Sequence, residues 1–66
     1  MMRPEWTGNA CKVMHINGIG KGEIADKLGW TTPYFSDVIN GKKTPAGAEE
    51  RVMGAINAII AERNKE

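Results

Sequence analysis

Gly22 to Pro45 reads GEIADKLGWTTPYFSDVINGKKTP. Ile24, Ala25 and Leu28 recur at i, i+1, i+4, and Phe35, Val38 and Ile39 at i, i+3, i+4. These are the spacings of two short helices, each with one buried face. Gly29 ends the first helix, because a residue without Cβ enters the left-handed conformation that closes helices at little cost. Thr31 is a good N-cap for the second, and Pro33 falls in its first turn, where a missing amide has no helical partner anyway. Asn40-Gly41 closes the second helix, and Gly41-Lys42-Lys43-Thr44-Pro45 follows as a basic loop. The outward residues of the second helix, Thr32, Pro33, Tyr34, Ser36 and Asp37, carry little charge for an exposed face.

The same reasoning extends to both sides. Upstream, Trp6, Ala10, Val13 and Met14 share a helical face, which predicts a helix from Thr7 to His15 capped by Thr7 or Asn9 and stopped at Asn17-Gly18. Gly20 is a tolerable N-cap for Lys21–Leu28, with Glu23 placed to suit the helix dipole. Gly22 in that first turn costs up to about 1 kcal/mol relative to alanine. Downstream, Val52, Met53, Ile56, Ile59 and Ile60 mark the longest helix, from Pro45 or Ala48 to Arg63. Glu49 and Glu50 near its start and Arg63 and Lys65 near its end match the dipole. No segment alternates β-branched residues between hairpin turns, so strands are not expected. The expected fold is all-α: a compact bundle of four, at most five, short helices forming one domain over residues 1–66.

Composition narrows the function classes. A chain of 66 residues, 41% hydrophobic and 26% charged, reads as one small globular domain rather than a disordered segment. Its single cysteine, Cys11, forms no intramolecular disulfide, which fits a reducing compartment. The longest apolar run, Ala58 to Ala61, is too short to span a bilayer, and Met1 to Trp6 holds no apolar signal core. A cytoplasmic protein without membrane contact is expected. Cys11 and His15 lie four residues apart, but a zinc site needs four ligands, or three and a water, and the chain has no other Cys or His. No metal, cofactor or small-molecule ligand is expected, and a lone His without a convergent nucleophile or base does not describe an enzyme.

The joint at about 21–39 meets the physical requirements of a helix-turn-helix, two short helices on a tight glycine-containing turn. Ala25 is small where the helices cross, and Ile24, Leu28, Trp30, Phe35 and Val38 lock the pair onto the core. The stretch Ile-Ala-x-x-Leu-Gly, then Phe35 six residues beyond Gly29, then Val38-Ile39-Asn40-Gly41-Lys42, resembles the lambda-repressor-like (Cro/repressor, XRE) helix-turn-helix family. It is most similar to the short prophage regulators of Gram-positive bacteria, and the likeness covers about residues 16 to 60.

The resemblance implies a transcriptional regulator that binds double-stranded DNA, with Thr32–Ile39 as the recognition helix in the major groove. It implies base contacts from Thr32, Pro33, Ser36 and Asp37. It implies phosphate or sugar contacts from Lys21, Thr31, Tyr34, Asn40, Lys42 and Lys43. Two features depart from the family. Gln or Arg, common at base-reading positions because they make bidentate contacts, are absent, and Gly22 stands where a helix former is usual. Asp37 accepts from a cytosine amino group but also repels phosphate, and readout through thymine methyls and DNA shape is the alternative.

Other readings of these residues stay open. Lys42-Lys43 fits either a solvated turn or a phosphate contact, and Tyr34 either a groove contact or a cover for the helix pair. Trp30 points inward from the turn, while Trp6 closes the bundle or anchors a partner. The net charge of +1 and sequence pI near 7.9 are low for a nucleic-acid binder, so positive charge has to be local. The same near-neutrality fits a protein-interaction module that keeps the fold without DNA binding. Ala48, Ala55 and Ala58, small residues flanking the stripe of the last helix, predict self-association as a homodimer through that flank.

Overall fold

The computed structural model describes residues 5–65; residues 1–4, part of the stretch expected to hold no signal core, and residue 66 lie outside the described residues. Four helices follow one another: α1 (Glu5–Asn17), α2 (Lys21–Leu28), α3 (Thr32–Ile39) and α4 (Ala48–Asn64). There is no strand among the described residues. The all-α expectation holds, with four helices.

The local signals explain most of the boundaries. Glu23 accepts a hydrogen bond from the Gly20 amide at 3.2 Å, the half of a capping box open to a helix whose cap has no side chain. Thr31 Oγ1 accepts from the Tyr34 amide at 3.2 Å and so caps α3, with Pro33 in the first turn. Gly47 precedes α4, which carries Glu49 and Glu50 in its first turn and Arg63 in its last.

The first three helices end in the same closure. The Gly18, Gly29 and Gly41 amides return to the carbonyls of His15, Asp26 and Val38, and the following amides of Ile19, Trp30 and Lys42 return to Met14, Ala25 and Asp37, each at 2.8 Å. This is the Schellman motif, which satisfies carbonyls that a helix end leaves without partners. Gly29 stands at φ 74°, where a Cβ would be strained, so the turn between α2 and α3 needs it.

α1 begins earlier than the candidate caps predict. Thr7 and Asn9 are not caps: both lie inside the helix, and Thr7 is fully buried. The reason is the apolar face itself. Trp6, Ala10 and Met14 follow at intervals of four, and packing Trp6 against the core extends the helix upstream past both candidate caps. Trp6 therefore closes the flank of the bundle.

α2 packs on α3, α1 on α4, and α2 on α4, with a lesser contact between α1 and α3. Ile24 of α2, Phe35, Val38 and Ile39 of α3, and Val52 and Ile56 of α4 are buried at the centre. Each such side chain contributes about 1.5–3 kcal/mol of transfer free energy. Ala48 and Ala55 are also buried in this core, and Ala58 is half-buried. Ala48 and Ala55 are thus used inside the chain, where their small size lets α4 approach its neighbours.

Candidate nucleic-acid interface

α3 turns Phe35, Val38 and Ile39 into the core, which leaves its opposite face outward. Thr32 and Pro33 are exposed at its start; Tyr34, Ser36 and Asp37 are half-exposed along its body; Asn40 is exposed at its exit. Asp37 is the one charged side chain in the helix. The four side chains expected to face bases, Thr32, Pro33, Ser36 and Asp37, thus lie on one helix with accessible surface. Asn40 donates from Nδ2 to Ser36 Oγ at 3.3 Å, so the amide at the exit is oriented along the same face.

The start of α2 lies beside the start of α3. A Cβ on Gly22 would stand 3.9 Å from Thr32 Oγ1, ordinary contact distance, and Lys21 is exposed immediately before it. At the other end, the Lys42 and Lys43 amides donate to the Asp37 carbonyl at 2.8 and 3.3 Å, which folds the basic loop back against the last turn of α3. Lysines therefore stand at both ends of the exposed helix: Lys21 at its start, Lys42 and Lys43 at its exit. Neither Lys21 nor Lys42 is in an ion pair among the described residues.

Two features have no forewarning in the sequence. Lys43 Nζ lies 3.6 Å from the Asp37 carboxylate and 5.1 Å from the centre of the Tyr34 ring, so this lysine is already engaged. Trp30 meets Tyr34 edge to face at 5.0 Å with the rings 86° apart. Trp30 is thus half-buried in the turn, packed on the core and on Tyr34 together, and Tyr34 covers the helix pair while keeping part of its surface outward. The six-residue spacing of Asp37 and Lys43 gives no helical signal, because the helix stops between them; only the Asn-Gly exit marks the reversal that brings them together.

Away from α3, α2 and α4 are joined by charge. Lys27 Nζ lies 2.8 and 2.9 Å from the two Glu62 carboxylate oxygens, and Arg63 binds Glu23. The Lys27 ammonium, by hydrogen bond and then by charge, holds the Glu62 carboxyl below its ordinary pKa against an opposing desolvation, with Lys65 adding a lesser lowering. The shallow cleft between these helices, about 590 Å³, is lined by Glu23, Asp26, Lys27, Ile59, Glu62 and Arg63. Four of its five charged side chains are already joined in these pairs, which leaves little there for a ligand to satisfy. Cys11 is half-buried against the core and His15 is exposed on α1. No helix among the described residues is long and apolar enough to cross a membrane.

Comparisons with protein-family models, curated proteins and solved structures return no match to this chain.

Proposed function

We propose that this chain is a cytoplasmic, non-enzymatic transcriptional regulator of the helix-turn-helix kind, prophage-derived, that lays α3 in the major groove of double-stranded DNA. One arrangement carries the reading: a nearly uncharged, exposed face on α3 with lysines standing at both of its ends. Eight helical residues are about 12 Å long, comparable to the width of the major groove. Thr32 and Pro33 at the N-terminus of α3 face base edges first, with Ser36 and Asp37 one turn on. Lys21, Thr31, Tyr34, Asn40, Lys42 and Lys43 sit where the flanking phosphates and sugars pass. Thr32 and Pro33 offer one hydroxyl and apolar surface, which suits thymine methyls better than bidentate recognition of guanine.

The test is fluorescence anisotropy with a labelled duplex from the chain's own upstream region and a shuffled duplex, across a salt series. The native duplex should bind more tightly, with affinity falling steeply as salt rises. Lys42→Gln should weaken binding to both duplexes and reduce the salt slope by about one unit. Thr32→Ala should cost about 1–3 kcal/mol at a single base position. A second reading, a protein-interaction module, is favoured by Asp37 on the exposed face and by Lys43 being already paired. Absence of binding to either duplex at low salt would decide for that reading.

A further inference from the structure

The closure of α3 departs from those of α1 and α2 in one respect. A Schellman motif is commonly accompanied by an apolar contact between the residue after the glycine and the residue whose carbonyl it reaches. At the end of α1 those residues are Ile19 and Met14, both buried, and at the end of α2 they are Trp30, packed on the core, and buried Ala25. At the end of α3 they are Lys42 and Asp37. The position that elsewhere seals the helix end with apolar surface here carries opposite charges, on the face turned away from the core. The neighbouring lysine completes the cluster: Lys43 Nζ lies against the Asp37 carboxylate at 3.6 Å and over the Tyr34 ring at 5.1 Å.

We propose that Asp37 is a specificity-determining counter-charge, an inference that rests on reading α3 as a DNA-facing helix. In the free protein its carboxylate occupies, beside Lys43, the place of a DNA phosphate. On a duplex that presents a cytosine amino group opposite Asp37, the pair exchanges: Lys43 moves to a phosphate oxygen, and Asp37 accepts a hydrogen bond from the cytosine N4 amino group, its natural partner in the major groove. On other duplexes the carboxylate has no such donor. Lys43 then stays with Asp37 and is withdrawn from the set of phosphate-neutralising cations. Discrimination arises as much from the penalty imposed on wrong sequences as from the hydrogen bond formed on the right one. Tyr34 keeps the ammonium near its ring and so holds Lys43 within reach of both partners.

The experiment measures anisotropy of a fluorescein-labelled mixed-sequence duplex and of the native upstream duplex with the full chain, Asp37→Asn, Lys43→Gln and the double variant, across salt. The Asp37 backbone carbonyl still receives the Lys42 and Lys43 amides in Asp37→Asn, and circular dichroism verifies that each variant is folded. Asp37→Asn should tighten binding to the mixed-sequence duplex by up to about fivefold, the range of an exposed ion pair. Its salt slope should steepen by about one unit, and the preference for the native duplex should narrow. In the Lys43→Gln background the same change should have less than half that effect, because the partner it releases is gone. An equal effect in both backgrounds would overturn the exchange and leave only diffuse repulsion. Unchanged or weaker binding of Asp37→Asn, with the unsubstituted chain still binding DNA, would overturn it as well and leave the DNA reading intact. Failure of all four folded proteins to bind either duplex would remove both together.

Discussion

Arg63 Nη2 stands 2.9 Å from both carboxylate oxygens of Glu23, while its Nη1 donates to the Asn17 carbonyl at 2.6 Å. Asn17 is the last residue of α1, where carbonyls have no helical partner, and Glu23 lies in the first turn of α2, where it also accepts from the Gly20 amide. A single guanidinium therefore binds the last turn of α4 to the corner between the first two helices. That corner holds in place the helix on which α3 packs.

Removing this guanidinium should loosen the corner without touching the α3 face. Both side chains of the ion pair are nearly half exposed, so the pair itself is worth no more than about 1 kcal/mol. With the carbonyl contact also lost, Arg63→Ala should lower stability by about 1 kcal/mol, a fall in Tm of roughly 4–8 °C for a domain of this size. Arg63→Lys should restore only part, since an ammonium lacks the second donor arm. Thermal melts followed at 222 nm check this, and a wild-type Tm for Arg63→Ala would show that the corner is held by apolar packing alone.

Glycines in helix interiors and at helix ends should respond oppositely to alanine. Gly22 and Gly54 lie within α2 and α4 at ordinary helical φ, and an added Cβ meets only Thr32 Oγ1 at 3.9 Å in the first case and nothing within 4 Å in the second. Gly22→Ala and Gly54→Ala should each stabilise the fold by about 0.5–1 kcal/mol. Gly29→Ala should destabilise by about 1 kcal/mol or more, because φ 74° is strained for any side chain. Denaturant midpoints distinguish the two signs, and a loss of stability in Gly22→Ala would mean that α2 and α3 approach more closely than 3.9 Å implies.

Glu62 sets a pH dependence of definite sign. Its carboxyl titrates lower in the folded chain than in the unfolded one, because the Lys27 ammonium favours the ionised form. The stabilisation is present in full above the ordinary carboxylate pKa and fades as pH falls through the lowered folded value. Glu62→Gln should therefore melt below the unsubstituted chain at neutral pH, and the gap should close under acid conditions. A gap that persists undiminished at about pH 2 would assign the effect to packing instead of charge.

Much of the fold is legible in the sequence because its signals are local. Gly29, Thr31 and Pro33 declare the turn and cap between α2 and α3 within five residues, and the structure follows them residue by residue. The apolar spacing of Phe35, Val38 and Ile39 likewise selects the buried face of α3. The start of α1 is harder to place because Thr7 has the chemistry of a cap, and only the tertiary packing of Trp6 shows that the helix has already begun. The alanines of α4 are hard to read for a similar reason: small residues signal close approach without saying whether the neighbour is the same chain, and Ala48 and Ala55 pack within it. The Asp37–Lys43 pair and the Arg63–Glu23 contact, 6 and 40 residues apart in sequence, depend on chain reversals and have no periodic signature.

The two ion pairs between α2 and α4 also shape how the molecule looks from a distance. Glu23 with Arg63, at 2.9 Å, and Lys27 with Glu62, at 2.8 Å, each set one positive charge against one negative charge, two of each in all. Such a group sums to zero, and its field dies away faster than that of any lone charge. Beyond a Debye length, about 8 Å at physiological ionic strength, it contributes almost nothing. A polyanion approaching through solution is therefore oriented by charges outside this quartet, Lys21 and Lys42 among them. A chain with a net charge of only +1 can accordingly present an uneven long-range potential, with balanced charges in the seam of α2 and α4, and with Lys21 and Lys42, in no ion pair among the described residues, near the two ends of α3.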